Sequence, residues 1–372
     1  MKKIFNTLAL SSIILVGFTG IANAQLTDVP DGGNKKATVG ELIGITDVTI
    51  HYNRPAVKKR DGHIFGELVP VGYVDQGFGT SKAAPWRAGA NESTNIEFST
   101  DVTINGQPLA AGKYGFFIAY DPNESTIIFS KNSDAWGSFF YKPEEDVLRV
   151  KIKPITTDRS VERLRYEFVD QTPNSAVVQL EWEKMAFPFK VEVDLVKTEL
   201  ASIRKELVTD KGFMWESWDQ AAQFCLKNKI NLDEALTWAD NAVGPHFGGG
   251  QSFQAWSTKA EVLNALGRNA EADAIIKKSL PFGDVNELNS YGRSLIADKK
   301  TKEALEVFKL NYSKHPNEYA ANSGMAHGYS ATGEYKKALP FAERAVTLAT
   351  NPPRKAAAEE ALKTLQAGKD IN

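Results

Sequence analysis

The sequence predicts an all-β antiparallel sandwich domain followed by an all-α helical repeat domain. Two observations carry that prediction. Up to about residue 200, short runs alternate apolar with polar residues, and beyond it a helical pattern marked by alanines recurs. A third observation concerns the N-terminus, where the composition is that of an export signal.

Lys2 and Lys3 open the chain, an apolar run extends from Leu8 to Ile21, and Ala22-Asn23-Ala24 follows. This pattern predicts a signal peptide over 1–24, cleaved before Gln25, and a periplasmic or secreted product. The run is shorter than the roughly 20 residues a membrane span needs. No cysteine follows the cleavage point to take a lipid. Residues 25–40, with Asp31-Gly32-Gly33-Asn34, read as a loose leader.

The sandwich is expected over 41–198. Its strands are "DVTIHYN", "TNIEFS", "DVTING", "KYGFFIAY", "STIIFSK", "VLRVKIK", "ERLRYEFVD", "AVVQLEWE" and "FKVEVDLVK". Turn residues such as Asn105-Gly106, Asp121-Pro122-Asn123 and Pro173-Asn174 separate them. Period-two alternation buries one face of each strand and wets the other, and no helical stretch interrupts the series, which disfavours a parallel sheet.

The helical domain is expected over 199–372. Ala235, Ala272, Ala304 and Ala338 stand at equivalent places, spaced 37, 32 and 34 residues apart. One turn further on come Ala239, Ile276, Phe308 and Ala342 on the same face. Gly267 and Gly333 fall where the first helix of a pair should stop, and Pro316 follows a second helix. This pattern resembles the tetratricopeptide repeat, closely over 253–350 and loosely over 216–252, and implies three or four helix pairs. Pro340 predicts that the last second helix starts late or bends. The segment "PPRKAAAEEALKTLQAG" reads as a capping helix, with prolines at its start and Gly368 past its end.

The formal charge of −2, or −4 once residues 1–24 and their two lysines are removed, does not suit a nucleic-acid partner. Cys225 is the only cysteine, flanked by apolar residues, and reads as a packed thiol. The histidines (51, 63, 246, 315 and 327) lack metal-ligand spacing, and no phosphate loop or nucleophile elbow is present. Neither a metal nor another cofactor is expected.

What remains is a cluster around "PWRAGANESTNIEF". Arg54, Arg60, Trp86, Arg87 and Asn91 would line a concave anion or glycan site, since guanidinium groups grip carboxylates or phosphates and an indole stacks on a ring. Glu92 belongs to the same segment, and Trp136 is a second candidate wall. A structural role competes with this one. In that role Arg87 bonds loop carbonyls, Glu92 pairs with Arg87, and Trp86 plugs one end of the sandwich; it is the preferred reading.

In order, "HYNRP", "IFGELVP", "WRAGANES", "DVTINGQPLAAGKYGFFI", "IIFSKNSDAWG" and "DVLRVKIKP" resemble the DUF2911 family of exported bacterial proteins, over about residues 27–197. The resemblance implies an all-β domain and no known activity, substrate or cofactor. Many members join the "LVP" and "WR" motifs with a shorter loop than the "GYVDQGFGTSKAA" present here. The function expected is non-enzymatic: the repeats present a groove to a protein or peptide partner, with the β-domain as a companion binding module. The alternatives are a hydrolase or transferase using the Arg/Trp/Asn/Glu cluster, and a purely structural envelope component.

Overall fold

The computed structural model describes residues 33–372, so the expected signal peptide lies outside the described residues. Two compact units meet between Val193 and Asp194.

The first unit holds β1 (Lys35–Ile43), β2 (Thr46–Arg54), β3 (Thr94–Phe98), β4 (Val102–Ile104), β5 (Gln107–Leu109) and β6 (Gly112–Ala119). It continues with β7 (Ser125–Ser130), β8 (Asp146–Ile152), β9 (Ile155–Thr172) and β10 (Ser175–Glu192). They form a six-stranded sheet, β1-β2-β3-β6-β7-β8, and a four-stranded sheet, β5-β4-β10-β9. The strand pairs within both sheets are antiparallel. The sheets face each other: Phe116 of β6 lies 5.4 Å from Phe189 of β10, and Tyr52 of β2 lies 4.7 Å from Tyr166 of β9. Ile50, Ile96, Phe98, Leu180 and Trp182 are buried among them, which makes the unit the predicted sandwich.

The sequence boundaries shift at both ends of this unit. Strand β1 begins at Lys35, inside the segment read as a leader, and pairs along its whole length with β2. Only Ile43 in it is buried, so this edge strand shows almost no apolar alternation. At the other end, Leu195–Lys197 of "FKVEVDLVK" leave the sheet. Asp194 caps a helix there, its carboxylate accepting from Lys197 N at 3.0 Å.

The second unit comprises α1 (Leu195–Glu206), α2 (Trp215–Asn228), α3 (Leu232–Val243), α4 (Phe253–Ala265) and α5 (Asn269–Ser279). Then come α6 (Val285–Ala297), α7 (Thr301–Lys314), α8 (Tyr319–Ala331), α9 (Tyr335–Leu348) and α10 (Pro352–Gln366). Helices α2 to α9 form four tetratricopeptide-like pairs, and α10 follows them. All four marker alanines are buried, as are Ala239, Ile276, Phe308 and Ala342 one turn later.

Each first helix stops the same way. Lys229, Gly267, Lys299 and Gly333 take positive φ, and the next residue's N–H reaches back to Cys225, Leu263, Leu295 and Tyr329 respectively. Two of these left-handed positions are lysines, which carry no sequence signal for such a stop. Pro340 sits within α9, which begins at Tyr335 and so does not start late. The proline is on the exposed flank, where water can bond the Lys336 carbonyl that loses its amide partner. Three glycines surround Phe308 of α7. A methyl group on Gly292 of α6, or on Gly324 or Gly328 of α8, would collide with its ring.

Candidate functional site

The long connection between β2 and β3 carries the segment singled out in the sequence. Beyond Thr94, β6 outruns β3, and Trp86 takes the vacant pairing row by exchanging two backbone hydrogen bonds with Ile118, at 2.9 and 2.8 Å. That pairing turns its indole inward. Trp86 is 8% exposed, stacks on Trp182 at 6.1 Å, and meets the edges or faces of Phe65 and Phe187. Its Nε1 donates to Gly89 O at 3.2 Å. The indole is therefore a filled corner of the core, with no face left for a ligand.

Arg87 points the other way. Its Nη1 donates to Asn91 O at 2.7 Å and its guanidinium lies over the Phe139 ring at 4.8 Å. Gly137, at positive φ, comes so close that a Cβ there would overlap the guanidinium. Burial lowers the Arg87 pKa from its ordinary value. The bond and stack clamp the 87–91 turn, in which Ala88 and Asn91 hold positive φ. The Ala88 carbonyl is satisfied by Tyr166 Oη and Thr94 Oγ1.

Glu92 does not pair with Arg87. It accepts from Asn53 Nδ2 at 2.8 Å and from Lys36 Nζ at 2.6 Å, because the β1–β2 hairpin brings both to it. Partial burial would raise its carboxyl, but bonds from Lys36, its own amide and Asn53 hold it below the usual value. Asn91 Oδ1 takes the Asn34 amide at 3.1 Å. Trp136 is 54% exposed, on the loop whose Gly137 meets Arg87.

Thus Trp86, Arg87, Asn91 and Glu92 share one corner, with Trp136 on its rim. The two remaining candidates are spent elsewhere. Arg54 Nε donates to Leu164 O of β9 at 2.9 Å, and Arg60 bonds Val57 O and Ala56 O. Their guanidinium bonds go to backbone carbonyls, and none of those bonds reaches the 86–92 segment. Replacing Arg87 by alanine should leave the Asn91 carbonyl unpaired and loosen the turn, at a cost of about 1–3 kcal/mol. A thermal melt indistinguishable from the parent would remove Arg87 from the structural role.

The helical unit holds open space that sequence reasoning missed. Between the pair α4/α5 and the pair α6/α7, the chain runs through a short 3-10 turn, Leu280–Phe282. Two neighbouring cavities, of about 270 and 240 Å³, flank Tyr291, Ile276 and Leu295, which line both. Phe253 meets the Tyr291 ring edge-on at 5.7 Å. Burial, then Glu303, Asp273 and Asp298, push the Tyr291 hydroxyl up to about 12.

Among the described residues, no group of three His, Cys, Asp or Glu side chains is arranged to hold a metal, and no helix is long and apolar enough to cross a membrane. Cys225 is buried, and burial raises its thiol pKa.

Residues 34–191 match a family model described as "Protein of unknown function (DUF2911)". No curated protein matches the chain. Among solved structures, YrrB, "a TPR protein with an unusual peptide-binding site", is 17% identical, with 44% of this chain and 84% of that one covered and a TM-score of 0.30. MamA from Desulfovibrio magneticus RS-1 is 17% identical over 41% of this chain and 93% of its own, at 0.28. A thermophilic TPR protein of Thermus thermophilus is 15% identical over 45% and 91%, at 0.30.

Proposed function

With a DUF2911 domain at residues 34–191 followed by a tetratricopeptide-like helical unit, we propose that this chain is an exported, non-enzymatic interaction protein. Its helical pairs hold a segment of a protein or peptide partner, and its β-domain is a companion binding module. The observation that carries the reading is the open junction between the second and third helix pairs. It offers space beside an apolar floor of Ile276, Tyr291 and Leu295, whereas the arginine and tryptophan corner of the β-domain is filled by its own side chains. For the β-domain, the support is its exposed aromatics: Trp136, 54% exposed on the loop that meets Arg87, and Phe78, 66% exposed and packed on Phe139 of that loop.

The test is selection from a displayed random-peptide library on the full chain. Ser294, exposed on α6, lines the larger cavity, so Ser294→Trp should fill it and weaken the selected peptides about tenfold. Unchanged binding would place the partner site elsewhere. Export rests on the N-terminal composition. The chain recovered from its native host should begin at Gln25 by N-terminal sequencing, and a cytoplasmic product retaining Met1 would sink this part of the proposal.

A further inference from the structure

We propose that residues 368–372 are a strap that closes a binding face on α8, and that an extended, acidic segment of a partner protein opens it by taking the strap's place. The inference concerns the fourth helix pair and stands apart from the reading of the open junction.

The strap is seated residue by residue. The Ser330 hydroxyl of α8 donates to Asp370 Oδ1 at 2.7 Å and accepts from Ile371 N at 3.1 Å. The Ile371 side chain packs on the cluster of Ala326, Ala338, Ala342 and Leu365. Asn372 Nδ2 donates to His327 O at 3.2 Å, and its Oδ1 lies 3.0 Å from His327 Nδ1. One turn of α8 and the apolar cluster beside it thus hold an acid, an aliphatic side chain and an amide in succession.

The seat and the strap are also separable. Helix α10 is finished before the seated residues begin: Gly368 takes φ +68°, its N–H bonds Leu365 O, and the Lys369 N–H bonds Thr364 O. Nothing in that cap depends on residues 370–372, and the glycine supplies a hinge. Asp370 and Asn372 are exposed, so Ile371 is the one apolar anchor, and a segment held this way opens locally without unfolding its unit. Both side-chain bonds of the Ser330 hydroxyl go to the strap, and Ser330 is buried beneath it. Release therefore leaves a hydroxyl without its partners beside an apolar floor, and a new occupant that supplies both contacts restores what is lost.

The charge of that occupant follows from Arg293 on α6. Among the described residues Arg293 makes no ion pair or side-chain hydrogen bond. It is nevertheless close enough to act on His327, whose imidazole is pushed down to about 4 by burial and then by Arg293. The imidazole is therefore neutral near pH 7 and leaves the guanidinium as the positive charge at this end of the seat. The strap does not use it. Asp370 is spent on Ser330 and on the amides of Asn372, and Asn372 brings only an uncharged side chain to His327. A segment that repeats the acid, aliphatic and amide pattern and carries carboxylates beyond the position of Asn372 keeps the seat and adds Arg293. That charge-assisted contact is what lets it displace the strap.

The experiment compares the full chain with a variant lacking residues 370–372, which keeps the α10 cap and whose folding circular dichroism checks. The probe is a fluorescein-labelled peptide, Ala-Gly-Lys-Asp-Ile-Asn-Asp-Asp, amidated at its end and read by fluorescence anisotropy. A second probe ends in Ser-Ser in place of Asp-Asp. A seat strapped about nine-tenths of the time weakens apparent affinity about tenfold, so the truncated variant should bind the acidic probe about tenfold more tightly than the full chain. Ile371→Ser loosens the strap at full length and should move the affinity of the full chain toward that of the truncated variant. On the truncated variant the acidic probe should bind about tenfold more tightly than the serine probe, and Arg293→Gln, at an exposed position, should remove that advantage.

Equal binding to the full and truncated chains, or no binding to the folded truncated variant, overturns the inference. An advantage of the acidic probe that survives Arg293→Gln overturns the assignment of the partner's charge. A full chain that forms dimers in solution, lost on removing residues 370–372, would put a second copy's strap in the seat and overturn a partner protein as its occupant.

Discussion

Phe308→Ala should be the most damaging single substitution in the helical unit, at about 3–5 kcal/mol. The side chain is fully buried on α7 and is wedged against Gly292 of α6 and against Gly324 and Gly328 of α8. Removing it takes away the transfer energy of the ring and leaves a hole. The glycine walls have no side chains to swing into that hole, so any collapse must come from the other members of the cluster, Leu288, Leu295 and Met325. The converse change, Gly324→Ala, puts a methyl 2.5 Å from the ring and should cost about 1–3 kcal/mol by overpacking. Because both act on one contact, the double variant should cost less than the sum of the two. Urea unfolding followed by far-ultraviolet circular dichroism measures all three. A Phe308→Ala loss below about 1 kcal/mol would show that the third and fourth pairs are not wedged by this ring.

Trp86→Ala should cost the sandwich a comparable amount, about 3–5 kcal/mol. The indole fills the corner where β6 extends past β3 and contacts Phe65, Trp182 and Phe187. Its truncation empties that corner and strips one stacking partner from Trp182, so the near-ultraviolet circular dichroism of the stacked indoles should fall with stability. Trp86→Phe should recover much of the loss, since it restores a buried ring and forfeits the Nε1 bond to Gly89 O and the volume of the second ring. If Trp86→Ala melts within about half a kcal/mol of the parent, the corner tolerates a void and its role as a plug is refuted.

The alternating strands and the alanine register were legible because both are local periodicities. A buried face imposes period two on a strand and a close helix crossing imposes a small residue each repeat, as Ala235, Ala272, Ala304 and Ala338 show. Strand β1 escaped notice because an edge strand with one buried residue carries almost no periodicity. Lys229 and Lys299 hid two helix stops for a related reason. Their left-handed backbone is enforced by the bonds of the turn and by the packing of the pair, with no glycine to announce it.

By itself the sequence determined the order of the two units, the strand faces, the helix pairs and the presence of an unusual corner at Trp86 and Arg87. Tertiary structure alone decided what that corner is. Glu92 takes Lys36 and Asn53, residues delivered by the β1–β2 hairpin, and not its near neighbour Arg87, which spends itself on Asn91 O and Phe139. It also decided where open space lies, at Tyr291, where acids from successive helices meet. The physical reason is range. Periodicity reports which side of an element is buried, whereas ion-pair partners and cavities depend on which distant elements are brought opposite one another, and that is set by packing.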